Sequence, residues 1–197
     1  MLLALDVAIL LPARVSQRAT ELSAALPAAG SQGPRLDGNR LPHITLTQQF
    51  VPEQDLDAVL ATVSATITNY DTLHLNVTGS ARGQNSVWMA IAPATDLVEL
   101  HRHLMDALRP FERTDGTSEA FVDGDARPAD VAWVAGFRDS ASYAAFQPHI
   151  TLGHSSTLPP VEPIAFNAST IAACQLGRFC TCRRVLQRWE LNCELKF

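Results

Sequence analysis

The pentapeptide Pro-His-Ile-Thr-Leu occurs twice in this chain, at residues 42–46 and again at residues 148–152. The repeat requires the fold to build one local backbone twice, at two distant points of the sequence. Ile, Thr and Leu behind a proline predict the opening of a β-strand, because branched side chains suit a pleated surface and proline is tolerated at the first residue or on an edge. With a side-chain period of two, His43 and Thr45 share one face while Ile44 and Leu46 take the other. His149 and Thr151 repeat this against Ile150 and Leu152. Each strand therefore offers an imidazole and a hydroxyl together, over an aliphatic anchor.

An imidazole exchanges a proton near neutral pH, and two of them can divide the work of acid and base. A reaction that deprotonates an attacking water or hydroxyl and protonates a departing oxygen needs one neutral and one charged ring on opposite sides of the reacting centre. Phosphodiester chemistry fits that demand, with threonine hydroxyls as neutral donors to nonbridging oxygens. The scheme requires no metal and no cofactor. One His-x-Thr on a strand is commonly a surface pair or a satisfied core histidine. A purely structural duplication, however, would preserve Ile and Leu more readily than a costly titratable ring in both copies.

The paired His-x-Thr-Leu strands resemble those of the 2H phosphoesterase superfamily, which includes RNA 2′,5′-ligase-like proteins and 2′,3′-cyclic phosphodiesterases. The resemblance spans nearly the whole chain: an early apolar strand, the two motifs about a hundred residues apart, and a closing segment containing Trp189. It implies an α+β fold of two pseudo-symmetric lobes, each a small antiparallel sheet backed by helices, with a cleft between them. It also implies that His43, Thr45, His149 and Thr151 line that cleft as catalytic residues. One position departs from the pattern: members related to the RNA ligases often carry Arg five residues after the second histidine, and this chain has His154, which can bind substrate phosphate when protonated. The implied activity is hydrolysis of a 2′,3′-cyclic phosphate on a nucleotide or RNA terminus. Its alternatives are 2′,5′ end ligation and nonenzymatic nucleotide or RNA binding in the same cleft.

At 197 residues and 47% hydrophobic content, the chain can bury one substantial core or two small lobes sharing an interface. The resemblance implies one bilobal domain over residues 1–197, with approximate repeats 1–92 and 93–197. Its net charge of −5 argues against a sequence-independent grip on duplex DNA, which relies on many phosphate-neutralising cations. Nearly all of its cations are arginine, which favours bidentate phosphate contact, although biased codon usage explains the same excess. No cationic leader and no apolar run of about 18 residues are present, so a cytoplasmic, membrane-free location is expected. The chain is also expected to be a monomer. Cys174, Cys180, Cys182 and Cys193 lack the paired spacing of common zinc sites and are expected to be structural or incidental thiols.

Along the chain, residues 2–11 predict a buried strand and residues 12–26 an amphipathic helix ended by Pro27 and Gly30. The loop to Arg40 brings Arg35 and Arg40 within possible reach of a phosphate. A second helix runs to about residue 69. Strands at 71–79 and 87–91 pair across a turn at 81–85, and Thr95-Asp96 is expected to cap a third helix to Leu108. His101 and His103 on that helix are expected to be solvated. Residues 111–127 read as a mobile loop, a candidate lid; 131–137 as a short strand or helical turn; 140–146 as a short helix. Segments 164–176 and 182–195 read as a closing strand pair. Phe50, Trp88, Tyr143 and Phe146 are candidate base-stacking residues whose default role is packing.

Overall fold

In a computed structural model that describes residues 1–27, 33–83 and 85–192, eight strands form two antiparallel sheets with the two histidine motifs on an edge strand of each. Strands β1 (Leu2–Leu10), β2 (His43–Pro52), β7 (Thr170–Gly177) and β8 (Thr181–Glu190) make one sheet in the order β2-β1-β7-β8. The other has the order β5-β4-β3-β6, from β3 (Leu73–Arg82), β4 (Ser86–Ile91), β5 (His149–His154) and β6 (Ile164–Ala168). Strand β1 is central and nearly continuously apolar because it is covered on both faces. Each sheet takes two strands from residues 1–92 and two from residues 93–197.

The described residues also form four α-helices: α1 (Ala13–Ala25), α2 (Leu56–Ile67), α3 (Thr95–Leu108) and α4 (Pro128–Ala141). Helices α3 and α4 pack against the first motif strand, and α1 packs against the second. Helix α3 buries Leu97, Leu100, Leu104 and Leu108, the predicted stripe, in the main core. No helix among the described residues is long and apolar enough to cross a membrane.

Several expectations are corrected. Residues 164–176 are not one strand: the chain leaves the second sheet after β6 and enters the first at β7, so only β7 and β8 pair. Helix α4 replaces the short strand or helical turn expected at 131–137 and runs on to Ala141, with Asp130 accepting the Arg127 backbone N–H at its start, and the short helix expected at 140–146 is a single 3-10 turn at Tyr143–Ala145. Thr95 and Asp96 do not cap α3; Ala94 stands at its N-cap with no side-chain bond. The segment expected to be a mobile loop is packed down: Phe121 is buried edge-on against Phe50, and Gln175 donates to the Ala120 carbonyl. His101 is fully buried rather than solvated. Gly30, Cys193 and Leu195 lie outside the described residues.

Candidate active site

Both motif strands carry the same irregularity. In β2, Val7 faces Thr47 while the next residue, Ala8, faces Thr45, so Leu46 is an extra residue. In β5, Val87 faces Gly153 while Trp88 faces Thr151, so Leu152 is the extra residue. A β-bulge therefore sits at the same place in both copies of His-Ile-Thr-Leu, bending each edge strand beside its histidine. A bulge leaves ladder groups unpaired, and in each case a buried helix side chain takes the carbonyl. His101 of α3 donates from Nδ1 to Leu46 O at 2.6 Å, and Ser23 of α1 donates to Leu152 O at 2.5 Å. His101 Nε2 accepts the Tyr143 N–H at 2.9 Å, and its ring stacks on Phe146 at 3.8 Å. One neutral imidazole thus joins the first motif to the segment leading into the second.

The prolines have a parallel consequence. Leu41-Pro42-His43 and Gln147-Pro148-His149 each fold so that the histidine Nδ1 lies 2.7 Å from the carbonyl two residues back. The carbonyl can only accept, so Nδ1 carries hydrogen and Nε2 is the nitrogen left for chemistry in both rings.

His43, Thr45, His149, Thr151 and His154 all line one cavity of about 650 Å³. Ile44 and Ile150 are buried behind them, as the alternation requires, and the bulged Leu46 and Leu152 are buried as well, Leu152 at the cavity wall. Trp88 tilts over His149 with ring centroids 5.0 Å apart, and Trp133 and Phe146 also line the cavity. Phe50 does not: it belongs to a separate cluster with Phe121. Tyr143 is engaged by Arg138 and Asp106. The loop arginines are engaged as well, Arg35 with the carbonyls of Pro34, His154 and Pro27, and Arg40 with Asp37.

Electrostatically, the two motifs differ. Burial, then the charge of His43, holds His149 below its ordinary pKa, against the pull of the Gln147 carbonyl. Beneath the first motif lies Asp6, fully buried at the centre of β1. Its Oδ2 accepts from Thr45 Oγ1 at 2.9 Å and Gln48 Nε2 at 2.7 Å, and stands 3.6 Å from His43 Nε2. The extra residue at Leu46 is what lets Thr45 and Gln48, three apart, reach one face. Thr45 therefore spends its hydroxyl proton inside the protein. Burial pushes the Asp6 carboxyl above its ordinary pKa, opposed by His43, Gln48 and Thr45.

At the other end of the cavity, Arg127 pairs with Asp130 and lies 4.0 Å over the Phe179 ring. Burial raises the Asp130 pKa, yet the bonds from Arg127 and the Phe179 N–H prevail and hold it below the ordinary carboxylate range. Phe179 and Cys180 adopt left-handed backbone, with φ of 64° and 52°, in the turn that Asp130 ties down. Burial, then Arg127 and Arg35, depresses the pKa of His154, so it is neutral near pH 7 rather than a standing cation.

Donor atoms of Asp6, His43 and Cys182 come within 4.8 Å of one another. Asp6 Oδ2 already accepts two hydrogen bonds, and burial holds the Cys182 thiol well above its ordinary pKa, so the trio reads as a hydrogen-bonded carboxylate beside a protonated thiol rather than a set of metal ligands. Sequence reasoning missed Asp6, Ser23, Gln48, Arg127 and Trp133. Asp6 had a signal: it is a lone charge in an otherwise apolar strand.

A sequence model described as the 2′-5′ RNA ligase superfamily matches residues 11–179. Crystal structures with the same fold include TT0787 of Thermus thermophilus, at 19% identity and TM-score 0.66, covering 98% of this chain and 100% of that one. Escherichia coli LigT complexed with NADP+ has 20% identity and TM-score 0.65, covering 97% of this chain and 99% of that one. LigT complexed with 3′-AMP has 19% identity and TM-score 0.64, covering 98% and 99%. No curated protein matches the sequence.

Proposed function

Because the chain belongs to the 2′-5′ RNA ligase superfamily, we propose that it is a metal-independent phosphodiesterase opening the 2′,3′-cyclic phosphate of a nucleotide or RNA end. The observation that carries this reading is the pair of imidazoles on one cavity, each with Nδ1 tied to a carbonyl and Nε2 without a hydrogen bond among the described residues. One takes the proton of an attacking water while the other protonates the departing ribose oxygen. Thr151 donates to a nonbridging phosphate oxygen, Thr45 holds the carboxylate beside His43, and neutral His154 offers an N–H to substrate. That LigT, a protein of the same fold, was crystallised with 3′-AMP, ATP and NADP+ supports a nucleotide as occupant.

The test is turnover of a 2′,3′-cyclic nucleotide across pH. A bell-shaped profile is expected, with a loss of about 10² to 10⁴-fold in His43→Ala and in His149→Ala. Near-normal turnover in both variants overturns the proposal. The family description favours one second reading, 2′,5′ ligation, in which a ribose hydroxyl replaces water at the same groups. Product analysis of a cyclic-phosphate RNA with and without a 5′-hydroxyl partner separates the two.

A further inference from the structure

The two motifs share backbone, bulge and tautomer, so the feature that breaks their symmetry assigns their roles. Asp6 Oδ2 stands 3.6 Å from His43 Nε2, whereas among the described residues no carboxylate lies within ion-pair distance of His149. We propose that Asp6 is a positioning residue that keeps His43 in its imidazolium form, making His43 the general acid and leaving His149 as the general base. This rests on the phosphodiesterase reading above.

Burial works against an ionised Asp6, and His43, Gln48 and Thr45 are the groups that favour it. A lone carboxylate with no solvent exposure is costly, and an imidazolium beside it makes the buried pair neutral overall. Gln48 Nε2 can only donate, so Oδ2 accepts from it, and Thr45 Oγ1 brings a second donor to the same oxygen. Thr45 and Gln48 aim the carboxylate from β2, and His43 Nδ1 is fixed by Leu41, so Nε2 is turned to Asp6 and to the cavity at once. The other titratable and charged groups of the cavity do not compete with Asp6. Cys182 of β8 is kept a neutral thiol by burial, His149 of β5 is depressed toward its neutral form, and Arg127 is neutralised by Asp130.

In the reaction, the water oxygen bonds to phosphorus as the bond from phosphorus to one ribose oxygen breaks. The water proton passes to His149 Nε2, and the proton on His43 Nε2 passes to the ribose oxygen. The product is a phosphomonoester beside a free hydroxyl, and exchange with solvent restores both rings. Asp6 touches neither substrate nor the reacting atoms. Its contribution is the charge that returns the proton to His43.

Asp6→Asn keeps the shape and removes that charge. With a 2′,3′-cyclic nucleotide as substrate, the alkaline limb of the kcat/KM profile, which reports loss of the acid's proton, is expected about 1–3 pH units lower in Asp6→Asn, while the acidic limb stays in place. An unmoved alkaline limb in folded Asp6→Asn overturns the inference. A second measurement needs neither the variant nor turnover: NMR titration of the two rings in the wild-type protein should show His43 releasing its proton at higher pH than His149, and the reverse order also overturns it. A wild-type protein that leaves cyclic nucleotides intact sinks the phosphodiesterase reading, while the order of the two titrations still decides the effect of Asp6 on His43.

Discussion

Replacing His101 by phenylalanine removes a tie between the two motifs while keeping an aromatic ring against Phe146. The native ring is fully buried, donates to the carbonyl of the bulged Leu46 and accepts the Tyr143 N–H. Phenylalanine leaves both backbone groups without these partners, at about 1–3 kcal/mol each, so His101→Phe should cost about 2–6 kcal/mol of folding stability. The same ring makes stability depend on pH. Burial, the largest influence, holds His101 below its unfolded value of 6.5, and Arg102 and Arg138 add to this against the Leu46 carbonyl and Asp106. Below that pH the unfolded chain binds a proton that the folded ring resists, so this contribution is complete above pH 6.5 and is lost as pH falls. The slope for this one group is at most about 1.4 kcal/mol per pH unit. Urea unfolding of wild type and His101→Phe at about pH 7.5 and about pH 5.5, on either side of that value, measures both effects, the variant being less stable at the higher pH and shallower in pH. A variant within about 0.5 kcal/mol of wild type at the higher pH, with an unchanged pH slope, would refute the reasoning.

Ser23→Ala, which removes the corresponding clamp on Leu152 O and the acceptor of the Leu36 N–H, should cost about 1–3 kcal/mol in the same urea assay. Ile44→Ala and Ile150→Ala each delete a fully buried anchor on a motif strand and should lose about 2–5 kcal/mol, read by the unfolding midpoint. Gly153→Ala places a Cβ at φ 143° and 2.5 Å from the Pro34 carbonyl, so it should destabilise by about 1–3 kcal/mol and lower turnover together. Trp133 is 45% exposed at the cavity with its indole N–H held by Gln48. Trp133→Ala should weaken competition by a 3′-nucleotide by about 1–3 kcal/mol if the ring stacks on a base, and leave it unchanged if the ring only packs.

Local rules made much of the site legible. Proline before Ile, Thr and Leu gave both strand openings, and strict alternation placed His43 with Thr45 and His149 with Thr151 toward one cavity. The Leu spacing of α3 read correctly, yet His101, one turn after Leu97 and beside Leu100, belongs to the same stripe, which weighing it only as a ligand partner of His103, on another face of the helix, does not reveal. Its two backbone partners, Leu46 and Tyr143, are far away in sequence, so the offsetting hydrogen bonds were invisible. Asp6 was hidden for the same reason, since its partners arrive on β2, around 40 residues later. Ser169, where the chain changes sheets, has no breaker strong enough to show that residues 164–176 are two strands. Helix α4 was broken up because its apolar positions lack a sharp face; it is held by Asp130 and by contacts to β2 and the strained turn at Phe179.

The central claim is that two distant imidazoles act as one catalytic unit without a metal. It is tested most directly by turnover of a 2′,3′-cyclic nucleotide in excess chelator by the wild type, His43→Ala, His149→Ala and the double variant. Groups that act together are not additive, so each single variant should lose about 10² to 10⁴-fold and the double variant little more than the worse single, with the wild type indifferent to chelator. Activity abolished by chelator, or two single losses that multiply in the double variant, would contradict it.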